Sequence, residues 1–217
     1  MININMKASI ISVIFLIELI FAKPLEFQLK KIQQNSPSLQ KRSNLVLSLK
    51  NNDDTYFSTA MEVGTPAQEL NLIFDTGSAD LWVMDSANKH CIYNSYKNIT
   101  VEPIINCADL LTFNSSESST IKKVSDARFY INYVDMTYGE GIWVTDTITI
   151  NGVSIPNMQF GLALNATTPV SGVLGIGFQR REAVRGYDGA SNEFYPNFPQ
   201  VLKQEGITDV VAYSLNL

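Results

Sequence analysis

From Asp53 onward, hydrophobic and polar positions alternate with a period of two, the pattern of strands that bury one face. Tyr56–Val63 reads as a first strand closed by the turn residues Gly64-Thr65-Pro66. Leu70–Phe74 is a second apolar run, stopped by Gly77, and Leu81-Trp82-Val83 a third. Further along, Phe129, Ile131 and Tyr133 alternate with Tyr130, Asn132 and Val134. Ile142–Ile150 alternates again and meets Asn151-Gly152, a strong hairpin signal, before Val153-Ser154-Ile155. Residues 88–127 are polar and rich in Ser and Asn, which predicts a long surface excursion. One helix is predicted near the end, where Phe198, Val201 and Leu202 share a face and Gly206 occupies a stop position. The expected fold is mostly β with little helix.

The start of the chain follows another pattern. Lys7 precedes an apolar run from Ala8 to Ile17, and Leu19-Ile20-Phe21-Ala22 leads to Lys23-Pro24, so residues 1–22 read as an export signal. A membrane anchor is the alternative, but the unbroken apolar stretch is too short to span a bilayer and no later one approaches that length. Residues 23–42 are polar and end in Lys41-Arg42, which reads as a propeptide-like segment cut before Ser43 or, more simply, as a solvated loop. The domain expected after processing is 43–217. Sequons at Asn98, Asn114 and Asn165 fit a secreted glycoprotein, and in that oxidising route Cys91 and Cys107 are expected to pair. Such a loop is worth about 3 kcal/mol if unstrained.

Composition narrows the chemistry. Sixteen Lys+Arg against 21 Asp+Glu give a net charge of −5, which argues against a nucleic-acid partner, since phosphate recognition needs a basic surface. A hydrophobic content of 45% with 17% charged residues excludes wholesale disorder. One histidine, His90, and two cysteines cannot build a multi-histidine or four-cysteine centre, so no metal or cofactor is expected. Nucleophilic catalysis would rest on His90 alone, with Cys91 adjacent in sequence and poorly placed to be its partner. Gly172-Val173-Leu174-Gly175-Ile176-Gly177 implies close backbone approach; it lacks the G-x-G-x-x-G spacing and the lysine of a phosphate loop. Carboxylates remain.

The informative stretch is Leu72-Ile73-Phe74-Asp75-Thr76-Gly77-Ser78-Ala79-Asp80-Leu81-Trp82-Val83. An apolar run leading into a carboxylate is costly unless that group is hydrogen-bonded. Thr76 and Ser78 bring hydroxyls, and Gly77 allows a sharp turn that points its N–H back at Asp75. An Asp in an ordinary tight turn is the simpler reading of Asp-x-Gly alone.

Asp75-Thr76-Gly77-Ser78 with Leu81-Trp82-Val83 resembles the first active-site segment of pepsin-like aspartic proteases. Gly64-Thr65-Pro66-Ala67-Gln68, Ser118-Ser119-Thr120, Asp146-Thr147 and Val173-Leu174-Gly175 are similar to further segments of that family, and the resemblance covers about residues 51–217. It implies the N-terminal β lobe of a bilobal enzyme acting on peptide or protein substrates, with Asp75 as one of two catalytic aspartates that share a proton. It also implies that Ser78 hydrogen-bonds the outer oxygen of Asp75 and that Thr76 ties the two active-site loops together. Tyr133 stands at the position of the family's flap tyrosine, its hydroxyl held by the Trp82 indole; plain aromatic packing is the alternative for both. Tyr133-Val134-Asp135-Met136 replaces the usual Tyr-Gly-Asp-Gly, and loss of both glycines restricts the positive-φ geometry of the hairpin tip that Val134 and Asp135 would present to substrate. The wording of 129–133, 167–178 and 195–200 is similar to a secreted yeast branch that degrades a peptide mating pheromone.

Asp80, Asp85, Asp109, Asp126, Asp135, Asp146, Asp188 and Asp209 all lack a following Thr-Gly or Ser-Gly. The expectation is therefore one lobe with its C-terminal lobe missing, inactive on its own, secreted, without cofactor or membrane span. The alternatives are a catalytically inactive peptide-binding lobe and a truncated remnant. Pairing of two copies of Asp75 is not expected, because the interface would be shaped for a different half.

Overall fold

The computed structural model describes residues 44–92, 104–183 and 194–216, all within the second of two units, Lys41–Leu217. The export signal 1–22, the propeptide-like segment with Lys41 and Arg42, and Asn98 lie outside the described residues. The strands are β1 (Lys50–Asn52), β2 (Tyr56–Val63), β3 (Gln68–Asp75), β4 (Leu81–Met84), β5 (Cys91–Ile92), β6 (Ile105–Asn106), β7 (Lys122–Asn132), β8 (Tyr138–Ile150), β9 (Val153–Ala166) and β10 (Gly172–Gly175). A single α-helix among the described residues, α1, spans Phe198–Gln204.

Eight strands form one sheet in the order β1-β2-β3-β10-β4-β9-β8-β7. An additional pairing of β2 with β8, through Glu62↔Thr149 and Val63↔Ile148, closes the sheet on itself. The period-two reading explains what fills it. On β8, Val144, Ile148 and Ile150 are buried while Thr145, Thr147 and Thr149 are partly exposed. Met61, Val63, Leu70, Leu72, Phe160 and Leu162 join them in one cluster, each worth roughly 1.5–3 kcal/mol of transfer free energy. Strand β4 is buried on both faces, which is why it reads as a continuous apolar run: Leu81 and Val83 enter this cluster, whereas Trp82 and Met84 enter a second with Phe129, Trp143 and Tyr195. The β8–β9 hairpin turns at Asn151 and Gly152, with φ of 53° and 76°, the two positive values that a two-residue turn of this hand requires. In α1, Phe198 and Leu202 are buried, Val201 is partly buried, and the chain leaves the helix ahead of Gly206 at φ 69°.

Three of the short segments singled out in sequence meet in space. Ser118 Oγ accepts from the Thr65 N–H (3.1 Å) and donates to Asp146 Oδ2 (2.7 Å), while Thr120 Oγ1 donates to Asp146 Oδ1 (2.5 Å). The two hydroxyl bonds, with the Thr147 N–H donating to Asp146 Oδ1 at 2.7 Å, satisfy this buried carboxylate, and the Gly64 N–H on the Thr147 carbonyl at 2.9 Å joins the same segments through the backbone.

Residues 88–127 are not one surface excursion. Cys91, Ile105, Cys107 and Phe113 are all buried, β5 and β6 pair in parallel, and Phe113 packs edge-on against Phe160 with ring centroids 6.3 Å apart. Cys91 and Cys107 form a disulfide (Cα–Cα 5.2 Å) whose sulfurs rest on Met84 Sδ. Strand β7 also begins at Lys122 rather than near Phe129, because its exposed first half at the sheet edge carries no alternation.

Candidate active site

Strand β3 runs out of the core through buried Leu72 and delivers Asp75, half-buried, at its last position. The following loop is held from behind by β10. Gly175 pairs with Asp75, the Ile176 N–H donates to the Asp75 carbonyl (2.9 Å), the Gly177 N–H to that of Ser78 (2.7 Å), and the Gly175 N–H to that of Asp80 (3.0 Å). A Cβ on Gly175 would lie 2.6 Å from the Asp80 carbonyl oxygen, and one on Gly177 2.7 Å from that of Ser78, so side chains at these positions would push the loop away.

The Asp75 carboxylate is held by backbone. Its Oδ1 accepts the Gly77 N–H at 2.7 Å. The Ser78 hydroxyl, expected on the outer oxygen, is instead buried with no hydrogen-bond partner among the described residues, and the Thr76 side chain is exposed. The turn at Gly77 brings its amide to the carboxylate.

Across from the loop, the Trp82 indole N–H donates to the Tyr133 hydroxyl at 2.8 Å. Burial raises the Tyr133 phenol above its ordinary range, with the Asp75, Asp80 and Asp135 carboxylates adding to the effect, so the hydroxyl keeps its proton. Tyr133 thus lies within electrostatic reach of Asp75. The hairpin between β7 and β8 closes through the Tyr133 N–H on the Thr137 carbonyl (2.8 Å) and the Met136 N–H on the Tyr133 carbonyl (3.0 Å). Asp135 Oδ1 accepts from the Thr137 hydroxyl (2.7 Å) and N–H (3.0 Å), bonds that lower its carboxyl below the usual range. The missing glycines therefore do not prevent the turn: Met136 itself adopts φ 67°. Val134 is fully exposed and Met136 88% exposed, an apolar tip on the hairpin.

The remaining predicted positions serve the frame. Asn165 Oδ1 contacts His90 Nε2 (2.9 Å) and accepts from the Tyr138 hydroxyl (3.3 Å), and its Nδ2 donates to Glu140 (3.1 Å). Asn114 Oδ1 accepts from the Ser116 hydroxyl (2.6 Å) and N–H (3.3 Å). Among the described residues no group of three or more His, Cys, Asp or Glu side chains is placed to hold a metal, and no helix is long and apolar enough to cross a membrane.

Sequence reasoning missed Asp80. Its carboxylate is 1% exposed, accepts from the Tyr195 hydroxyl (2.7 Å) and the Ala183 N–H (2.7 Å), and is pushed up to about 6 by burial. The signal was present: Asp80 is a charge between Ala79 and Leu81-Trp82-Val83, the same anomaly that marks Asp75.

A profile of the eukaryotic aspartyl protease family matches residues 55–217. Barrierpepsin of Saccharomyces cerevisiae is 54% identical over 183 residues, covering 80% of this chain and 31% of that protein. Aspartic proteinase yapsin-3 of the same yeast is 36% identical over 197 residues, 87% of this chain and 36% of its own. Secreted aspartic protease 7 of Candida albicans is 34% identical over 84% of this chain and 28% of its own. The crystal structure of an aspartic proteinase from Irpex lacteus superposes with a TM-score of 0.55 at 20% identity, over 74% of this chain and 39% of that one, a likeness of fold. The chain thus spans about a third of the length of the curated relatives it matches.

Proposed function

Because this chain belongs to the eukaryotic aspartyl protease family, we propose that residues 43–217 act as the N-terminal lobe of a secreted aspartic endopeptidase in which Asp75 is one of two catalytic carboxylates. The observation that carries this reading is the Asp75 carboxylate bonded to the Gly77 N–H, facing a hairpin whose Tyr133 hydroxyl is fixed by Trp82. In the reaction, two aspartates share one proton because like charges in contact do not both ionise cheaply. The ionised member takes a proton from water as it attacks the scissile carbonyl, and the protonated member polarises that carbonyl. The pair titrates as a unit.

The 217 residues hold a single Asp-Thr/Ser-Gly, so the second aspartate of this scheme comes from outside them, and the chain alone does not hydrolyse peptides. The similarity to barrierpepsin supports an extended peptide pheromone as the substrate class. The apolar hairpin tip, Val134 and Met136, favours a second reading in which the lobe captures peptides without cutting them. An acid-pH peptidase assay decides between the two. Pepstatin-sensitive turnover is expected when the chain is joined to a lobe carrying a second Asp-Thr/Ser-Gly; peptide binding without turnover in that joined form supports capture.

A further inference from the structure

Two of the sequons fall on described residues, Asn114-Ser115-Ser116 and Asn165-Ala166-Thr167, and the fold uses their carboxamides in opposite ways. Asn165 lies opposite Glu140 where β9 pairs with β8. Its Oδ1 contacts Nε2 of buried His90 (2.9 Å) and accepts from the Tyr138 hydroxyl (3.3 Å), while its Nδ2 donates to Glu140 Oε2 (3.1 Å). Glu140 is held in turn by Arg128 Nη2 at 2.7 Å. The rest of that sequon is engaged too. The Thr167 hydroxyl accepts from the Tyr138 N–H (3.0 Å), and the Thr167 N–H donates to the Tyr138 carbonyl (3.0 Å). Both backbone groups of buried Ala166 bond to the Asn88 side chain, at 3.0 Å each. Tyr138 is the first residue of β8, so the Asn165 and Thr167 bonds fasten the base of the hairpin whose tip carries Val134 and Met136.

Asn114 is arranged differently. The Gln68 side chain clips its backbone, accepting from the Asn114 N–H (2.8 Å) and donating to the Asn114 carbonyl (3.0 Å). Its Oδ1 accepts from the Ser116 hydroxyl (2.6 Å) and N–H (3.3 Å). Its Nδ2 forms no hydrogen bond among the described residues and is not one of their buried, unpartnered atoms, so it opens to solvent next to exposed Ser116 and Glu117.

We propose that the folded, secreted chain carries an asparagine-linked oligosaccharide at Asn114 and none at Asn165, whose carboxamide is instead the node that fixes the base of the tip hairpin. The proposal rests on the secreted reading given above and not on catalysis. The sugar comes from a lipid-diphosphate donor: the bond between its C1 and the diphosphate oxygen breaks, the C1–Nδ2 bond forms, and Nδ2 gives up one of its two protons. At Asn114 that proton serves no bond within the described residues, and the sugar extends into solvent without disturbing the Gln68 clip. At Asn165 the sugar stands where Nδ2 meets Glu140, between two paired strands, and parts the carboxamide from Glu140 or from buried His90. Chains modified at Asn165 before they fold therefore do not close the hairpin base, and the folded population is unmodified there.

The test is peptide mass spectrometry of the full chain expressed through a yeast secretory pathway. The folded, disulfide-bonded form is isolated and trimmed with an endoglycosidase that leaves one sugar on each modified asparagine. The Asn114 peptide is expected with that sugar and the Asn165 peptide without it. A sugar on Asn165 in the folded protein, or none on Asn114, overturns the proposal. Asn114→Gln is expected to remove one sugar chain. Asn165→Asp keeps the shape of the side chain and removes its donor; it is expected to leave the number of sugar chains unchanged and to lower the melting temperature by at least about 2 °C. Loss of a sugar chain or unchanged melting in that variant overturns the node. Where Asn165→Asp does not fold, the peptide masses of the unaltered chain carry the test. A sugar at Asn165 removes this proposal and leaves secretion standing, whereas a chain without sugar at any of the three sequons removes both. Hydrolysis by the joined enzyme, or its absence, bears on neither.

Discussion

Trp82 and Tyr133, 51 residues apart, are joined by one hydrogen bond of 2.8 Å that ties the tip-bearing hairpin to β4, a strand buried at every position. Trp82 is 0% exposed, so its indole N–H has no other access to a partner. Tyr133→Phe leaves that donor unsatisfied and is expected to cost about 1–3 kcal/mol. Thermal unfolding should show this as a fall of roughly 2–4 °C for each kcal/mol in a protein of this size. Unchanged melting would mean that the bond contributes nothing to holding the hairpin.

Met136 carries the strain of the hairpin tip, with φ at 67° on an 88% exposed side chain. Met136→Gly is expected to raise stability by about 0.5–1 kcal/mol, since glycine adopts this conformation without a Cβ penalty. Val134→Gly should do the opposite, because Val134 is not among the positive-φ residues and the change only adds freedom to the unfolded chain. Paired melting curves of the two variants check the sign of each.

Phe113 tests the description of residues 88–127. It is 0% exposed and Leu111, two residues earlier, is 49% exposed. Phe113→Ala is expected to cost about 3–5 kcal/mol, and Leu111→Ala to stay within about 0.5 kcal/mol. Denaturant titration separates them; equal small losses would restore the picture of a surface excursion.

Asp80 and Glu182 set a pH dependence with a definite sign. Their carboxyls are raised in the folded protein, to about 6 and about 8, so between their unfolded values and these the native state binds more protons than the unfolded state. Stability is therefore fully present at acidic pH and is lost as the pH rises through about 6 for Asp80 and about 8 for Glu182. The Asp80 shift alone corresponds to an order of 3 kcal/mol. Melting temperature should fall by roughly 5–10 °C between pH 5 and pH 8, and Asp80→Asn should flatten the lower part of that slope.

The strands that face the core on one side were legible because burial imposes a period of two: β2 and the β8–β9 hairpin with its Asn151-Gly152 turn lie where the alternation placed them. Strand β4 was legible for the opposite reason, being apolar on both faces. What escaped was set by tertiary context. The first half of β7 is an exposed edge and repeats nothing; Phe113 is a lone aromatic in polar surroundings whose burial depends on Phe160, 47 positions away. At the site, the turn glycine gave the Gly77 N–H as a partner of Asp75, where the structure has it, yet residue type alone also favoured the Ser78 hydroxyl, which makes no hydrogen bond among the described residues. Tyr195 was visible as family wording, but its role depends on Asp80, 115 residues away, and no local pattern links the two.

The account turns on Asp75 as a catalytic carboxylate. Joined to a lobe that carries a second Asp-Thr/Ser-Gly, the chain should hydrolyse an unstructured peptide at about pH 5. Asp75→Asn should lower kcat/KM by at least about 10³-fold, within the range that loss of one general acid or base produces, because the shared proton site is lost, with the far-UV circular dichroism unchanged. Turnover that survives Asp75→Asn undiminished in the same folded protein would contradict it.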